Sequence, residues 1–254
     1  MSGHNKWSKV KHRKGAVDAK RSKIWTKIIR EITVAAKIGG DDPASNSRLR
    51  KALDDARASN ISKDTISRAL AKGSGNQEGG DYEELVYEGY GPAGVAIVVE
   101  SLTDNRNRTY GDVRAAFNKN GGNLGTSGSV CFSFKKKGQI SFDQLENQNK
   151  DINEDRLLEI GIEHGIEEVS NEENMWFIQC DPETLLVLKD AFMGAGLIPA
   201  SSEIAMVPDI VVEVSGDNAK SLFKLIDALE DLDDVQHVWS NEDVNEAELQ
   251  KLMD

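Results

Sequence analysis

YEELVYEGYGPAGVAIVVESL, residues 82–102, is the stretch from which the fold is read. Two runs rich in β-branched and aromatic residues, Tyr82 to Tyr90 and Val95 to Leu102, flank Gly91-Pro92-Ala93-Gly94. Such runs around a Gly/Pro turn predict a β-hairpin. Downstream, Thr103 or Asp104 is expected to cap a helix reaching about Asn118, with Val113, Ala116 and Phe117 inward. Gly121-Gly122 ends that helix, and Ser129 to Phe134 is expected to return as a strand. The resulting β-β-α-β is one helix short of two helices on a four-stranded sheet.

The missing helix lies far downstream. Residues 209–215, 217–230 and 235–239 read as strand, helix and strand. Between the two parts, 138–143, 154–164, 166–170, 174–180, 182–194 and 200–207 read as β-α-β-β-α-β, the split ferredoxin-like order. The prediction is an α+β domain of residues 80–134 plus 208–240, with a second α+β domain, 135–207, inserted in it. A simple string of domains is the competing reading. The acidic tail, Asn241 to Asp254, reads as a short mobile helix.

Upstream the pattern is helical. Ile24, Ile28, Ile32 and Ala36 recur every fourth residue, with Trp25 and Ile29 widening the stripe, so 17–38 is expected to form a helix that Gly39-Gly40 stops. Residues 45–58 turn Leu49, Leu53 and Ala56 inward. Asn60 and Ser62 break the chain, and Ser62 can cap a third helix, 63–72, that carries Ile66 and Leu70. The fold class is therefore α+β multidomain: a three-helix all-α domain, residues 1–77, followed by two ferredoxin-like α+β domains, the third inserted in the second. The Gly-rich, polar stretch Lys72 to Gly80 reads as a linker that keeps a basic module apart from an acidic body.

Charge divides at that linker. The 254 residues carry a net charge of −12, yet Met1 to Lys37 holds eleven Lys and Arg against only Asp18 and Glu31. Such asymmetry points to a polyanion partner. Met1 to Gly15 has little apolar content to fold with, and its charges repel. Lys20, Lys23, Lys27 and Arg30 follow three- and four-residue steps and share one helix face, expected to be exposed. That face suits a phosphate backbone or is simply solvated. Trp7 and His12, among the lysines, can stack on bases; alternatively Trp7 tucks onto the helices. Candidate nucleic-acid ligands are thus Lys6, Trp7, Lys9, Lys11, His12, Arg13, Lys14, Lys20, Arg21, Lys23, Lys27 and Arg30.

Two loops invite comparison with phosphate sites. Gly121 to Gly128 is Gly-dense but lacks a Gly-Lys-Ser/Thr ending and follows a helix, so it reads as a turn rich in positive φ. Thr103 to Thr109 opens a helix and puts Arg106 and Arg108 into the acidic body. It reads either as an anion holder or as a well-capped helix whose arginines pair with local acids.

Other chemistry is excluded more firmly. The histidines, His4, His12, His164 and His237, are dispersed, and neither CxxC nor HExxH occurs, so no cofactor or metal is expected. Cys131 and Cys180 sit in apolar runs and read as reduced structural thiols of a cytoplasmic protein. No run of about 18 apolar residues predicts a membrane helix, and no apolar segment follows the basic N-terminus as in a secretory signal. Apolar residues at 39% allow a sizeable core.

These residues also carry a resemblance. Gly3-His4-Asn5-Lys6-Trp7, Arg30-Glu31-Ile32 through Lys37, Gly39 to Pro43, Asn60 to Asp64 through Ala69, Tyr87 to Gly94 and Thr103 to Thr109 resemble the YebC/PmpR family over nearly the whole chain. Asn5, Trp25 and Ser62 depart from its usual Ser, Phe and Pro. The resemblance implies three domains and no enzyme. It implies a transcriptional regulator that binds DNA or, alternatively, a ribosome-associated factor easing translation through proline runs. The expected partner is nucleic acid, DNA or ribosomal RNA, with no membrane. A protein-interaction scaffold that works through the acidic body is the rival class.

Overall fold

The computed structural model describes residues 17–75, 82–146, 151–172 and 174–245; for 17–21 and 172 it describes the backbone alone. In chain order the elements are α1 (Val17–Gly39), α2 (Ser47–Ala58), α3 (Lys63–Gly73), β1 (Glu83–Tyr90), β2 (Ala96–Thr103), α4 (Arg106–Lys119) and β3 (Asn123–Leu124). Then follow β4 (Phe134–Asp143), α5 (Glu154–Gly161), β5 (Ile166–Glu172), β6 (Met175–Cys180), α6 (Leu185–Gly194) and β7 (Ser201–Pro208). The chain closes with β8 (Val212–Glu213), α7 (Gly216–Glu230), β9 (Val235–Ser240) and β10 (Glu242–Asp243). An N-terminal set of helices followed by α+β structure is the class the periodicity predicts. The chain divides into two units, Met1–Phe132 with Ile210–Asp254, and Ser133–Asp209.

In the first unit, α1, α2 and α3 bury Ile32, Leu49, Leu53, Ala56 and Ala69 against one another. Local chemistry sets their ends. Gly40, at φ +84, takes the left-handed turn that stops α1. Asn46 then serves two helices at once. Its Oδ1 accepts from Leu49 N at the start of α2, while its Nδ2 donates to Ala35 O and Gly40 O at the end of α1. Ser62 caps α3 by accepting from Thr65 N.

The same unit holds a four-stranded sheet in the order β3-β1-β2-β9. The β1–β2 hairpin runs from Glu83 opposite Thr103 to Tyr90 opposite Ala96. Val95, Ile97 and Val99 meet Val113 and Phe117 of α4 and Leu222, Ile226 and Leu229 of α7 in one core. The second unit has strand order β5-β6-β4-β7 with every neighbouring pair antiparallel, the ferredoxin-like arrangement. Its core packs Phe142 edge-on to Phe192, with Leu157, Ile178 and Leu188 around them.

Several elements differ from expectation. Ser129 to Phe134 is no strand: Cys131–Ser133 is a 3-10 turn and β4 starts at Phe134. The Val130 and Cys131 N–H groups go to the Glu88 carboxylate, so they cannot join a ladder, and Asn123–Leu124 is the third strand instead. Residues 209–215 shrink to Val212–Glu213, paired in parallel with Glu242–Asp243. The cap of α4 is Asn105, which accepts from Arg108 N, because Thr103 and Asp104 are engaged elsewhere. The helix expected in the tail falls, from residue 246 on, outside the described residues, as do linker residues 76–81.

Candidate nucleic-acid interface

Of the candidate ligands, Lys6, Trp7, Lys9, Lys11, His12, Arg13 and Lys14 lie outside the described residues, as do the side chains of Lys20 and Arg21. Lys23, Lys27 and Arg30 share one stripe of α1, as their spacing predicts. That stripe is not left open to solvent. It lies on the C-terminal end of α7. Lys23 Nζ donates to Asp231 O at 2.9 Å and Asp231 Oδ1 at 3.1 Å. Lys27 Nζ donates to Glu230 O at 3.0 Å. Arg30 Nη1 donates to Asp233 O at 2.5 Å and Asp234 Oδ1 at 2.7 Å. The last carbonyls of a helix have no partner within it and carry its negative pole. They present to a cation what a phosphate presents: acceptor oxygens with excess negative charge. The face expected to meet nucleic acid therefore braces α1 against the molecule's own helix end, and the expectation of a module held away from the body is corrected by these contacts.

Asp234 is the hub of this brace. It is buried and receives Arg30 on one oxygen and Arg108 on both, with Arg108 Nη2 2.8 Å from Oδ2. Thr109 Oγ1 donates at 2.7 Å, and Thr103 Oγ1 lies 3.2 Å away. Burial pushes the carboxyl up, but hydrogen bonds from Thr109 and Arg108 and the charges of Arg30 and Arg108 outweigh it and hold it below the usual range. The same bonds, with those to Asp104, hold the Arg108 guanidinium above its ordinary value. Of the two readings of Thr103 to Thr109, Arg108 takes the structural one, a capped helix paired with acids. Arg106 is exposed and forms no ion pair with a described residue.

The Gly121 to Gly128 loop is a turn, with Gly121 and Gly128 at positive φ. Glu88, buried on β1, accepts from Gly128 N, Val130 N and Cys131 N at 2.6–2.7 Å. The N–H groups that could have cradled a phosphate already hold a carboxylate. Burial raises the Glu88 carboxyl, and these three bonds outweigh it, keeping it low.

Charge density along the chain missed the cations that do remain on the helices. Arg50, Lys63 and Arg68 are exposed, and Lys72 lies over the Tyr82 ring. The signal available was the four-residue step from Arg68 to Lys72, which puts two like charges on one face of α3. Among the described residues, no group of three or more His, Cys, Asp or Glu gathers as a metal site, and no helix is long and apolar enough to cross a membrane. Neither Cys131 nor Cys180 is joined in a disulfide.

Residues 5–76 match the family model described as the TACO1/YebC protein N-terminal domain, and residues 82–242 match the TACO1/YebC second and third domain. A protein of Geobacter sulfurreducens named a probable transcriptional regulatory protein is 50% identical over 253 residues, covering 100% of both chains. One of the same name from Acidithiobacillus ferrooxidans is 52% identical over 252 residues, covering 99% of this chain and 98% of that one. Among solved structures, a conserved hypothetical protein of Aquifex aeolicus superposes with a TM-score of 0.80 at 42% identity, covering 90% of this chain and 93% of that one.

Proposed function

The chain belongs to the TACO1/YebC family, and from that premise we propose that it is a non-enzymatic, cytoplasmic regulator of gene expression that binds nucleic acid, with DNA as the first candidate. Its relatives are named probable transcriptional regulatory proteins, which supports the regulatory role. The observation that carries the binding is the charge of residues 1–16: five Lys and Arg and no carboxylate, on a chain of net charge −12. Lys23, Lys27, Arg30 and Arg108 act as the brace, so the polyanion falls to Lys6, Lys9, Lys11, Arg13 and Lys14, and to Lys20, Arg21 and Arg106 as further candidates. Few of these side chains suit bidentate base reading, so contact is to phosphates and sequence preference is weak.

A salt titration of a fluorescein-labelled, mixed-sequence 20-base-pair DNA duplex tests this. Log affinity should fall with log salt by about 0.9 per phosphate neutralised. Removing residues 1–15 should make that slope shallower by about 4.5 units, about 0.9 for each of the five cations lost. A slope that is flat, or indifferent to the deletion, overturns the reading. Tight binding of a ribosomal RNA fragment with none of the duplex would move the target to the ribosome.

A further inference from the structure

We propose that the cleft between α1 and α3 is a second, built seat for one phosphodiester of the bound strand, with Arg68 and Lys72 as its ligands. This rests on the reading that the chain holds nucleic acid. The cleft, about 190 Å³, has Ile29 and Ala69 as its floor and Arg30, Arg68, Lys72 and Tyr82 around its rim. Three cations meet there, and among the described lining residues there is no carboxylate.

Their charges are balanced unequally. Arg30 has Asp234 as counterion. Neither Arg68 nor Lys72 pairs with a described carboxylate. Among the described residues, Arg68 donates only to the Asp64 carbonyl of its own helix, and Lys72 Nζ sits 5.0 Å from the centroid of the Tyr82 ring. The Arg30 guanidinium lies 5.7 Å from the same ring. A ring face attracts cations without cancelling their charge, so Tyr82 gathers these groups and leaves them positive. One helical turn apart, Arg68 and Lys72 repel each other. An anion between them relieves that repulsion and accepts from both.

The size chooses the anion. Pockets for drug-sized ligands begin at about 300 Å³, so this cleft takes a phosphate group rather than a whole cofactor. Arg68 is exposed, so the seat is reachable from solvent and admits a phosphate that remains part of a chain. The fork of Arg68 and the point charge of Lys72 suit two oxygens of a phosphodiester.

The test compares the full chain with Arg68→Ala/Lys72→Ala and with Arg50→Ala/Lys63→Ala, which removes the same charge from exposed positions that do not line the cleft. Circular dichroism confirms that each is folded, and the 20-base-pair duplex is the probe. The cleft variant should lose about tenfold in affinity, and its salt slope should become shallower by about one. The control should stay within about twofold, as surface cations outside a contact do. Equal losses in both variants reduce the effect to net charge and overturn the seat. An unchanged cleft variant also overturns it, while the arm-based binding stands. No binding by the full chain overturns the functional reading and the seat together. A calorimetric titration with inorganic phosphate covers the remaining source: heat abolished in the cleft variant, beside unchanged duplex affinity, would make this a small-ion site and overturn the strand.

Discussion

At the scale of single residues, three buried carboxylates meet three fates. Glu88 is satisfied by backbone N–H groups and Asp234 by two arginines. Glu242 is 0% exposed, and neither of its oxygens has a partner among the described residues. Burial pushes its carboxyl up to about 7 from an ordinary value of 4.5. Because the folded value is the higher one, the stability linked to this group is fully present below pH 4.5 and is lost as pH rises through 7. Asp234 has the opposite sign: its contribution is present above its ordinary 3.8 and fails as pH falls through its lowered value, outside the Glu242 window. Wild type should therefore lose on the order of 3 kcal/mol at Glu242 between pH 4.5 and 8. In Glu242→Gln that loss should vanish. Urea melts at pH 5 and pH 8 decide it; an equal loss in both proteins would refute the assignment.

At the scale of elements, glycines that look alike in sequence behave differently. Gly73 ends α3 where α3 touches α1. A Cβ there would stand 2.4 Å from Thr33 O and 2.7 Å from Ala36 Cβ. Gly111 lies within α4, and a Cβ there would meet nothing. Alanine is the better helix former by about 1 kcal/mol, so Gly111→Ala should stabilise by 0.5–1 kcal/mol, roughly. Gly73→Ala should instead destabilise by about 1–3 kcal/mol, because the helices must part. Thermal melts with shifts of opposite sign are the expected outcome. The start of α3 was legible at this scale, since Ser62 needs only its own neighbours to act as a cap. The Ser129 to Phe134 strand was misread because Glu88, 42 residues from Val130, takes its N–H groups.

At the scale of the whole molecule, the Asp234 hub ties the basic helix to the sheet that follows it. Removing Asp234 leaves the largely buried Arg30 without its counterion, whereas Arg108 is exposed and keeps Asp104, so the cost is about 1–3 kcal/mol. Asp234→Ala should lower stability by that order. Hydrogen exchange should rise first in α1 and at the start of α4, where Arg30 and Arg108 lose their partner, and stay unchanged in the Ser133–Asp209 unit. Uniform acceleration across both units would show that Asp234 is no local brace. The cleft at Tyr82 belongs to this scale too: α1, α3 and the chain entering β1 supply its rim, and no single helix carries it.

Read alone, the sequence determined the helices among the described residues, the hairpin, the ferredoxin-like order of residues 138–207 and the crowding of positive charge at the front. Each depends on periodicity, capping or composition, which act between near neighbours. Only the tertiary structure decided what the cations touch. Spacing places Lys23, Lys27 and Arg30 on one face, but the surface that face meets is a helix end about two hundred residues away. A positive charge responds to whichever acceptors arrive within a few ångströms, and that is settled by how distant parts of the chain pack, which no local pattern encodes.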